Sequence, residues 1–512
     1  MIKSLDLCNF KCFLKPPSIE FAPLTILCGV NSSGKSSIIK SILTLKQSVE
    51  DKNQGSVLLL NGQYVDNGTF DDIVNFNAKE KDSFSIGNTF EINNYYYLLN
   101  NKKINVKWHE PRRDFGIFKD LLDLYKFKEK KISKFRISLN YVITRKYKNI
   151  DSTVKNINPV PSSSDQDDYL FLPYLNNNAI SGFKLEILVF DTNNKEKRKT
   201  TIEYKGADSY TLKWTGFPTR KTKLINNYEG IPCILAFNGL NIIKIIQSDK
   251  TWCDIDPIET DLISLVRLVT SQYKGIHFVG PLRNTPERTA HLMGNADSVG
   301  LKGENTGEIL AQIRNKHIVN NYPYLKRSES EITYKTLLNY WLNKFGAGKL
   351  SITGNRGVIS IEINNHNISD VGFGVSQFLP ILVQALYMNR EETLLLEQPE
   401  IHLHPKMQLD MADFLIETAK TERNIIVETH SDHIVNRIVH RVMENHKELS
   451  SLVRIYYVNK TENGNGKIIP INIDPYIGTR ITDDCPDFFV QYESETRDIV
   501  KTAMSNLIRD KK

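Results

Sequence analysis

Apolar and polar positions along this chain fall into three regimes. Ile2 to Phe10 alternates apolar and polar residues, which predicts a strand. Leu24 to Cys28 is a short unbroken apolar run, predicting a second one, and the glycine- and serine-rich GVNSSGKSS follows it. From Lys35 to about Val49 the apolar residues take helical spacing. The middle of the chain, about Phe90 to Gln272, is rich in Asn, Lys and Tyr. Alternation at Lys134–Thr144, Phe183–Phe190 and Thr200–Tyr204 predicts strands there, and the polar stretch Asp151–Asp168 predicts a loop or linker.

From about Gly275 apolar runs return, and two of them end abruptly in polar residues: TLLLEQPEIHLHP at Thr393–Pro405 and NIIVETHSDH at Asn424–His433. Such runs predict buried parallel strands with a site at their C-terminal ends. Leu452–Val458 and Lys467–Ile473 predict two more strands, and a polar helix follows Pro486. No heptad pattern and no internal repeat persists. The expected architecture is α/β, with one core assembled from residues 1–89 and 273–512 and a long mixed α/β insertion at 90–272.

Composition narrows the classes. The 512 residues are 40% hydrophobic and 24% charged, which is ordinary for a globular protein. The strongest apolar stretch, near Phe378–Met388, is too short to span a bilayer, and MIKSLDLCNF lacks the apolar core of a secretory signal. A cytoplasmic protein with no membrane association is expected. The six cysteines make no disulfide framework, and Cys8 and Cys12 have no second pair to complete a zinc site. The net charge of +7 is mild, but Lys102–Lys148 holds fifteen Lys and Arg against five Asp and Glu. That block suits either contact with a polyanion such as DNA or a solvated face.

The chemistry concentrates in GVNSSGKSS. Glycines let backbone N–H groups approach phosphate oxygens, and the helix that follows offers its positive dipole end to the same anion. Gly29, Asn31, Ser32, Ser33 and Gly34 therefore form a candidate phosphate loop. Lys35 is placed to reach the β- and γ-phosphates of ATP, and Ser36 to ligate Mg²⁺. Such a site needs an acid at a neighbouring strand end, and Glu397 supplies one. Hydrolysis needs a group that orients or deprotonates water. Gln398 orients water but is a poor base, and Glu400 is the alternative. His430, after the second run, is placed to contact a γ-phosphate. His402, His404 and Glu400 on a Pro-bounded turn are weak evidence for any other metal.

These motifs, in this order, resemble the ABC-type ATPases of the SMC, RecF and OLD kind. LDLCNFKCF looks like that family's opening strand and turn, which implies that Lys11 lies near the nucleotide. GVNSSGKSS looks like the Walker A loop, extending the contacts to Ser37. VGFGVSQFLP resembles a degenerate signature motif, implying that Gly374 and Ser376 cap the γ-phosphate of a second copy. LLLEQPEIHLHP resembles Walker B followed by the D-loop, and ETHSDH carries the switch histidine, His430. Gln63 is the candidate for the metal-contacting glutamine of the Q-loop.

The chain also resembles a bacterial OLD-like subfamily with EQPE and HLHP, a GPLR loop (Gly280–Arg283) and a tail like Pro486-Asp487-Phe488-Phe489. It implies an ATPase subunit of anti-phage defence, such as that of Septu, working with a separate nuclease or effector. Two departures bear on rate. Glu397 stands where Walker B usually has Asp, and Gln398 stands where the catalytic Glu belongs, an exchange that favours a long-lived ATP-bound dimer. The expectation is a homodimer or higher even oligomer acting as an ATP-gated clamp. The alternatives are a RecF-like repair ATPase and a nuclease or toxin using the acidic group Asp165, Asp167 and Asp168. Only 82 residues follow His430, without the strand-end acids of a Toprim domain, so no nuclease is expected in this chain.

Overall fold

The computed structural model describes residues 1–51, 57–79, 81–93, 113–125, 127–128, 131–145, 178–205, 211–216, 227–238, 240–247, 256–291, 296–313, 333–355, 357–476 and 478–479. The tail Pro486–Phe489, the helix expected beyond it and the loop Asp151–Asp168 with its acidic group lie outside them.

The chain opens with β1 (Ile2–Cys8), β2 (Ile19–Glu20) and β3 (Leu24–Gly29), then helix α1 (Lys35–Glu50) and the short α2 (Phe70–Ile73). Next come β4 (Ser83–Asn93), α3 (Arg113–Tyr125), β5 (Ile132–Arg145), β6 (Asn178–Asp191) and β7 (Glu196–Lys205). β8 (Thr211–Thr215), β9 (Asn227–Asn238), β10 (Asn241–Gln247) and α4 (Asp256–Thr270) close the middle region. Then follow β11 (Ile276–Val279), β12 (Ala290–His291), α5 (Thr306–Ile313), α6 (Tyr334–Lys344), β13 (Leu350–Asn355), β14 (Val358–Ile363) and β15 (His366–Asn367). The last third holds α7 (Phe373–Tyr387), β16 (Thr393–Glu397), α8 (Pro405–Ala419), β17 (Asn424–Glu428), α9 (Asp432–Glu444) and α10 (His446–Leu449). β18 (Val453–Lys460) and β19 (Gly466–Ile471) end the main sheet, before the small pair β20 (Ile473–Asp474) and β21 (Gly478–Thr479).

Among the described residues two large sheets form. One is antiparallel, in the order β10-β9-β8-β7-β6-β5-β4-β1-β2. The other has the order β11-β16-β17-β3-β18-β19 and is parallel except at β18–β19. The strand carrying the phosphate loop, β3, is therefore flanked by β17 and β18, both from the last third of the chain.

Alternation along the parallel strands sorts side chains into two cores. Leu27, Leu395, Ile426 and Tyr456 join the core that also holds Ile38, Ile42 and Leu45 of α1 and the inner face of the antiparallel sheet. Ile26, Cys28, Leu394, Leu396, Ile425 and Val427 point the other way, into the core shared with α7, α8 and α9. Burial on both faces explains why these strands read as unbroken apolar runs. Helix α1 lies between the two sheets and is buried on most of its circumference. Its Ser41, Thr44 and Ser48 hydroxyls donate to the carbonyls of Ile38, Lys40 and Thr44 at 2.7 Å each, so they enter the core with their hydrogen bonds made.

The predicted strands are present; those of the insertion run longer than their patterns, while β1 and β19 stop short of theirs. β4 runs across position 89/90 and pairs with both β1 and β5. The insertion thus extends a sheet that the first segment begins. Its return is fixed at Tyr273, whose ring meets Phe90 edge-on at 5.2 Å and whose hydroxyl donates to Asn88 at 2.9 Å.

Candidate nucleotide-binding site

β3 ends at Gly29 with φ 130°, and a Cβ there would stand 2.1 Å from the Val458 carbonyl oxygen, so the neighbouring strand admits only glycine. Gly34 has φ 111°, and a Cβ would fall 2.3 Å from Cys12 Sγ. Between them Asn31 and Ser32 are exposed, Ser32 with a left-handed φ of 58°. The loop then enters α1 at Lys35. The Lys35 ammonium is buried and donates to the carbonyls of Gly29 at 3.0 Å and Val30 at 2.7 Å. Burial pushes its pKa below the lysine range, against the pull of Glu428.

β16 and β17 end side by side on Glu397 and Glu428, which are register partners. Ser36 Oγ donates to Glu428 Oε1 at 2.8 Å, so the structure pairs this hydroxyl with Glu428, not Glu397. Burial, then the Glu428 charge, lifts the Glu397 pKa to about 7, while Lys40 opposes. Burial raises Glu428 as well. Sequence reasoning passes over Glu428, although its signal is there: NIIVE ends an apolar run on an acid, as TLLLE does.

Gln398 follows with φ 46°, its N–H donating to the Glu428 carbonyl at 2.7 Å. Arg283 of the GPLR loop, 6% exposed, donates to the carbonyls of Glu397 at 3.0 Å and Gln398 at 3.2 Å. Burial brings its pKa down to about 10. Glu400 accepts from the His430 N–H at 2.8 Å and from the Thr429 hydroxyl at 2.9 Å, one bond on each carboxylate oxygen. Burial lifts its pKa against these donors. Glu400 thus braces the turn after β17 and does not line the cleft described next, where the candidate base was expected. Burial, then the Lys35 charge, lowers the His430 pKa.

A cleft of about 510 Å³ opens over the loop. Of the predicted residues it is lined by Lys11, Ser32, Ser33, Gly34, Lys35, Ser36, Ser37, Gln398 and His430. Glu428, Asp71, Asp72, Phe76 and Lys460 join them. Gln63 does not: it is exposed, on a segment that Gln47 of α1 holds through the carbonyls of Leu59 and Val65. Gly374 and Ser376, in the first turn of α7, also lie outside the cleft. The Gly374 Cα faces the His402 carbonyl, and Ser376 is 4% exposed, so its side chain is covered within its own chain in this conformation. Of the basic block, Lys134 and Arg136 pair with Glu91, and Arg145 pairs with Asp71. Both acids lie outside the block, so these three of its cations are met by the preceding segment.

The residues fit a magnesium–nucleotide complex. Ser33 Oγ and Glu428 Oε2 are buried with no hydrogen-bond partner among the described residues, both at the loop. No group of three His, Cys, Asp or Glu side chains suited to a metal ion occurs among the described residues, and His402 and His404 form none. Mg²⁺ held with a nucleotide takes most of its oxygens from phosphate and water, so one or two protein ligands suffice.

A glycine-bounded phosphate loop between a buried parallel strand and a helix, beside strand-end carboxylates, defines a P-loop nucleotide-binding protein. The family model described as AAA ATPase domain matches residues 1–267 and 287–435, and the chain belongs to that family. The fold is an α/β P-loop ATPase domain whose central sheet is assembled from N- and C-terminal segments. No curated protein matches the chain. Similar solved structures include an SMC head bound to the C-terminal winged-helix domain of ScpA, 11% identical, covering 92% of this chain and 98% of that one, with a TM-score of 0.39. An SMC head domain from Thermotoga maritima is 12% identical, with coverage of 92% and 99% and a TM-score of 0.33. An Smc head with an extended coiled coil, bound to the C-terminal domain of ScpA derived from Pyrococcus furiosus, is 12% identical, with coverage of 92% and 96% and a TM-score of 0.37. Overlaps this loose transfer no residue roles. No helix among the described residues is long and apolar enough to cross a membrane.

Proposed function

We propose that this chain binds ATP with Mg²⁺ in the cleft over Gly29–Ser37 and uses it as a slow, nucleotide-gated clamp. The observation that carries the reading is the convergence of Lys35, Ser36, Glu428 and His430 on one cleft, with Ser33 Oγ and Glu428 Oε2 left without partners among the described residues. Lys35 would exchange the Gly29 and Val30 carbonyls for phosphate oxygens. Ser36, Glu428 and Glu397 would hold the cation, with Lys11 on the nucleotide side. Bound there, Mg²⁺ offsets charge on the β- and γ-phosphates. Gln398 orients water without taking its proton, while the Glu400 oxygens already serve the turn at Thr429 and His430, which supports slow turnover.

The motif resemblance supports a cytoplasmic homodimer in bacterial anti-phage defence with a separate nuclease or effector. Engaging a second copy through Ser376 requires the first turn of α7 to uncover it, because its side chain is buried within its own chain. The test measures ATP binding, turnover and mass in solution with and without Mg–ATP. Tight binding, slow hydrolysis and ATP-dependent dimerisation are expected. A monomer at high concentration with Mg–ATP sinks the clamp. Loss of phage resistance without loss of survival after DNA damage, on gene deletion, separates defence from repair.

A further inference from the structure

The phosphate end of the cleft is built from the loop, but a nucleotide also has a base. We infer that Phe76 is the stacking platform for that base, an inference that rests on the nucleotide reading above. Phe76 is 61% exposed, in a molecule whose large apolar side chains are mostly buried, and it lines the same cleft as Lys35 and Ser36. An exposed aromatic face in an otherwise polar cleft suits a flat heteroaromatic ring.

The ring stands on a rigid mount. Asn75 N–H donates to the Asn9 carbonyl at 2.9 Å, and its amide donates to the Lys11 carbonyl at 2.7 Å. Asn77 N–H donates to Asn75 Oδ1 at 2.8 Å, and its amide reaches the Asn463 carbonyl at 2.9 Å and Asn465 Oδ1 at 3.1 Å. Both neighbours of Phe76 are therefore fixed, one to the Lys11 turn and one to the β18–β19 turn. Gly464, with φ 77°, lies off the tip of the ring, where a Cβ would stand 3.1 Å from Cζ. A platform held by these hydrogen bonds loses little freedom when a base lies on it. The cleft volume of about 510 Å³ also falls in the range that small ligands fill.

The experiment titrates full-length protein, in Mg²⁺, with ATP and separately with inorganic tripolyphosphate, which carries phosphates and no base. Phe76→Ala should weaken ATP by roughly 5- to 150-fold, the range for removing one aromatic–base stack, and leave tripolyphosphate unchanged. Phe76→Trp should keep ATP affinity, and its fluorescence should change when ATP binds but not when tripolyphosphate binds. The exposure of Phe76 means that neither substitution empties the core. Wild type that binds both ligands, with Phe76→Ala unaffected or equally weakened for both, overturns this inference alone. Wild type that binds neither overturns the nucleotide reading and this inference with it.

Discussion

Ser36 of α1 and Glu428 at the end of β17, 392 residues apart in sequence, share a hydrogen bond of 2.8 Å. That bond ties the helix under the phosphate loop to the neighbouring strand end. The second Glu428 oxygen is buried without a partner among the described residues, and burial raises the carboxyl pKa. Holding this acid in place works against the folded state, which is a common signature of a functional group. Glu428→Gln should therefore leave the melting temperature unchanged or higher, because an amide still accepts from Ser36. Mg²⁺-dependent ATP affinity should fall by roughly 10- to 100-fold, as for loss of a charge-assisted contact. Calorimetry with and without Mg²⁺ checks both; a lower melting temperature with unchanged affinity contradicts the assignment.

The two glycines that bound the loop are not equivalent to other left-handed glycines. Gly34→Ala combines unfavourable φ with a contact against Cys12 Sγ at 2.3 Å. Gly357 has φ 84°, and a Cβ there would meet nothing within 4 Å, so Gly357→Ala carries only the backbone cost. The second variant should lose about 1 kcal/mol and the first clearly more, about 3 kcal/mol, together with ATP binding. Urea unfolding of the two variants side by side is the measurement.

Arg283 fixes the backbone at the strand end. Its guanidinium reaches the carbonyls of both Glu397 and Gln398. Both bonds leave from one guanidinium nitrogen, Nη2, and a lysine side chain ends one atom short of that position. Arg283→Lys should lower stability by about 1–2 kcal/mol and slow ATP turnover more than it weakens ATP binding. A KM that rises while kcat holds would contradict a role in placing Gln398.

Gln398→Glu and Glu400→Gln separate the two candidate water-activating positions. Since Gln398 lines the cleft and Glu400 braces the Thr429–His430 turn, Gln398→Glu should raise kcat. Glu400→Gln should lower the melting temperature along with the rate. An unchanged rate in Gln398→Glu with a stable, inactive Glu400→Gln would assign the base to Glu400 instead.

Glu392 gives a pH signature away from the site. Burial acts to raise its pKa, but the His277 contact at 2.9 Å and two hydrogen bonds from Asn389 outweigh it and hold the carboxyl at about 2. The folded value lies below the ordinary glutamate value of 4.5, so the stabilisation is present above pH 4.5 and is lost as pH falls toward 2. It amounts to on the order of 3 kcal/mol. Wild type should exceed Glu392→Gln in unfolding free energy at pH 6, with the gap closing between pH 4.5 and 2. A constant gap contradicts the coupling.

The loop, its strand and its helix are legible because each signal is local: glycines, a short apolar run, a helical period. The strand ends at Glu397 and Glu428 carry the same local mark, yet a motif directs attention to a single acid. Side-by-side placement is a property of β16 and β17 pairing, which no local pattern encodes. Ser376 reads as an exposed cap residue, but in the first turn of α7 it is almost wholly covered, which depends on packing rather than on the local pattern. Phe76 sits in the polar stretch DDIVNFNAKE, where one aromatic looks like an ordinary core anchor. Its exposure depends on turns contributed by Lys11 and by Asn463–Asn465.

The position of β3 has a consequence for synthesis. Its neighbours in the sheet are β17 and β18, and Gly29 is shaped by the Val458 carbonyl pressed against it. A ribosome makes the phosphate loop early and its flanking strands roughly 400 residues later. At about 5–20 residues per second, the loop would wait roughly 20–80 seconds for the strands that give it shape. Through that interval the nascent chain carries a complete ATP-binding sequence without an ATP-binding site. Nucleotide capture therefore reports that the last third of the chain has been made and has found the first.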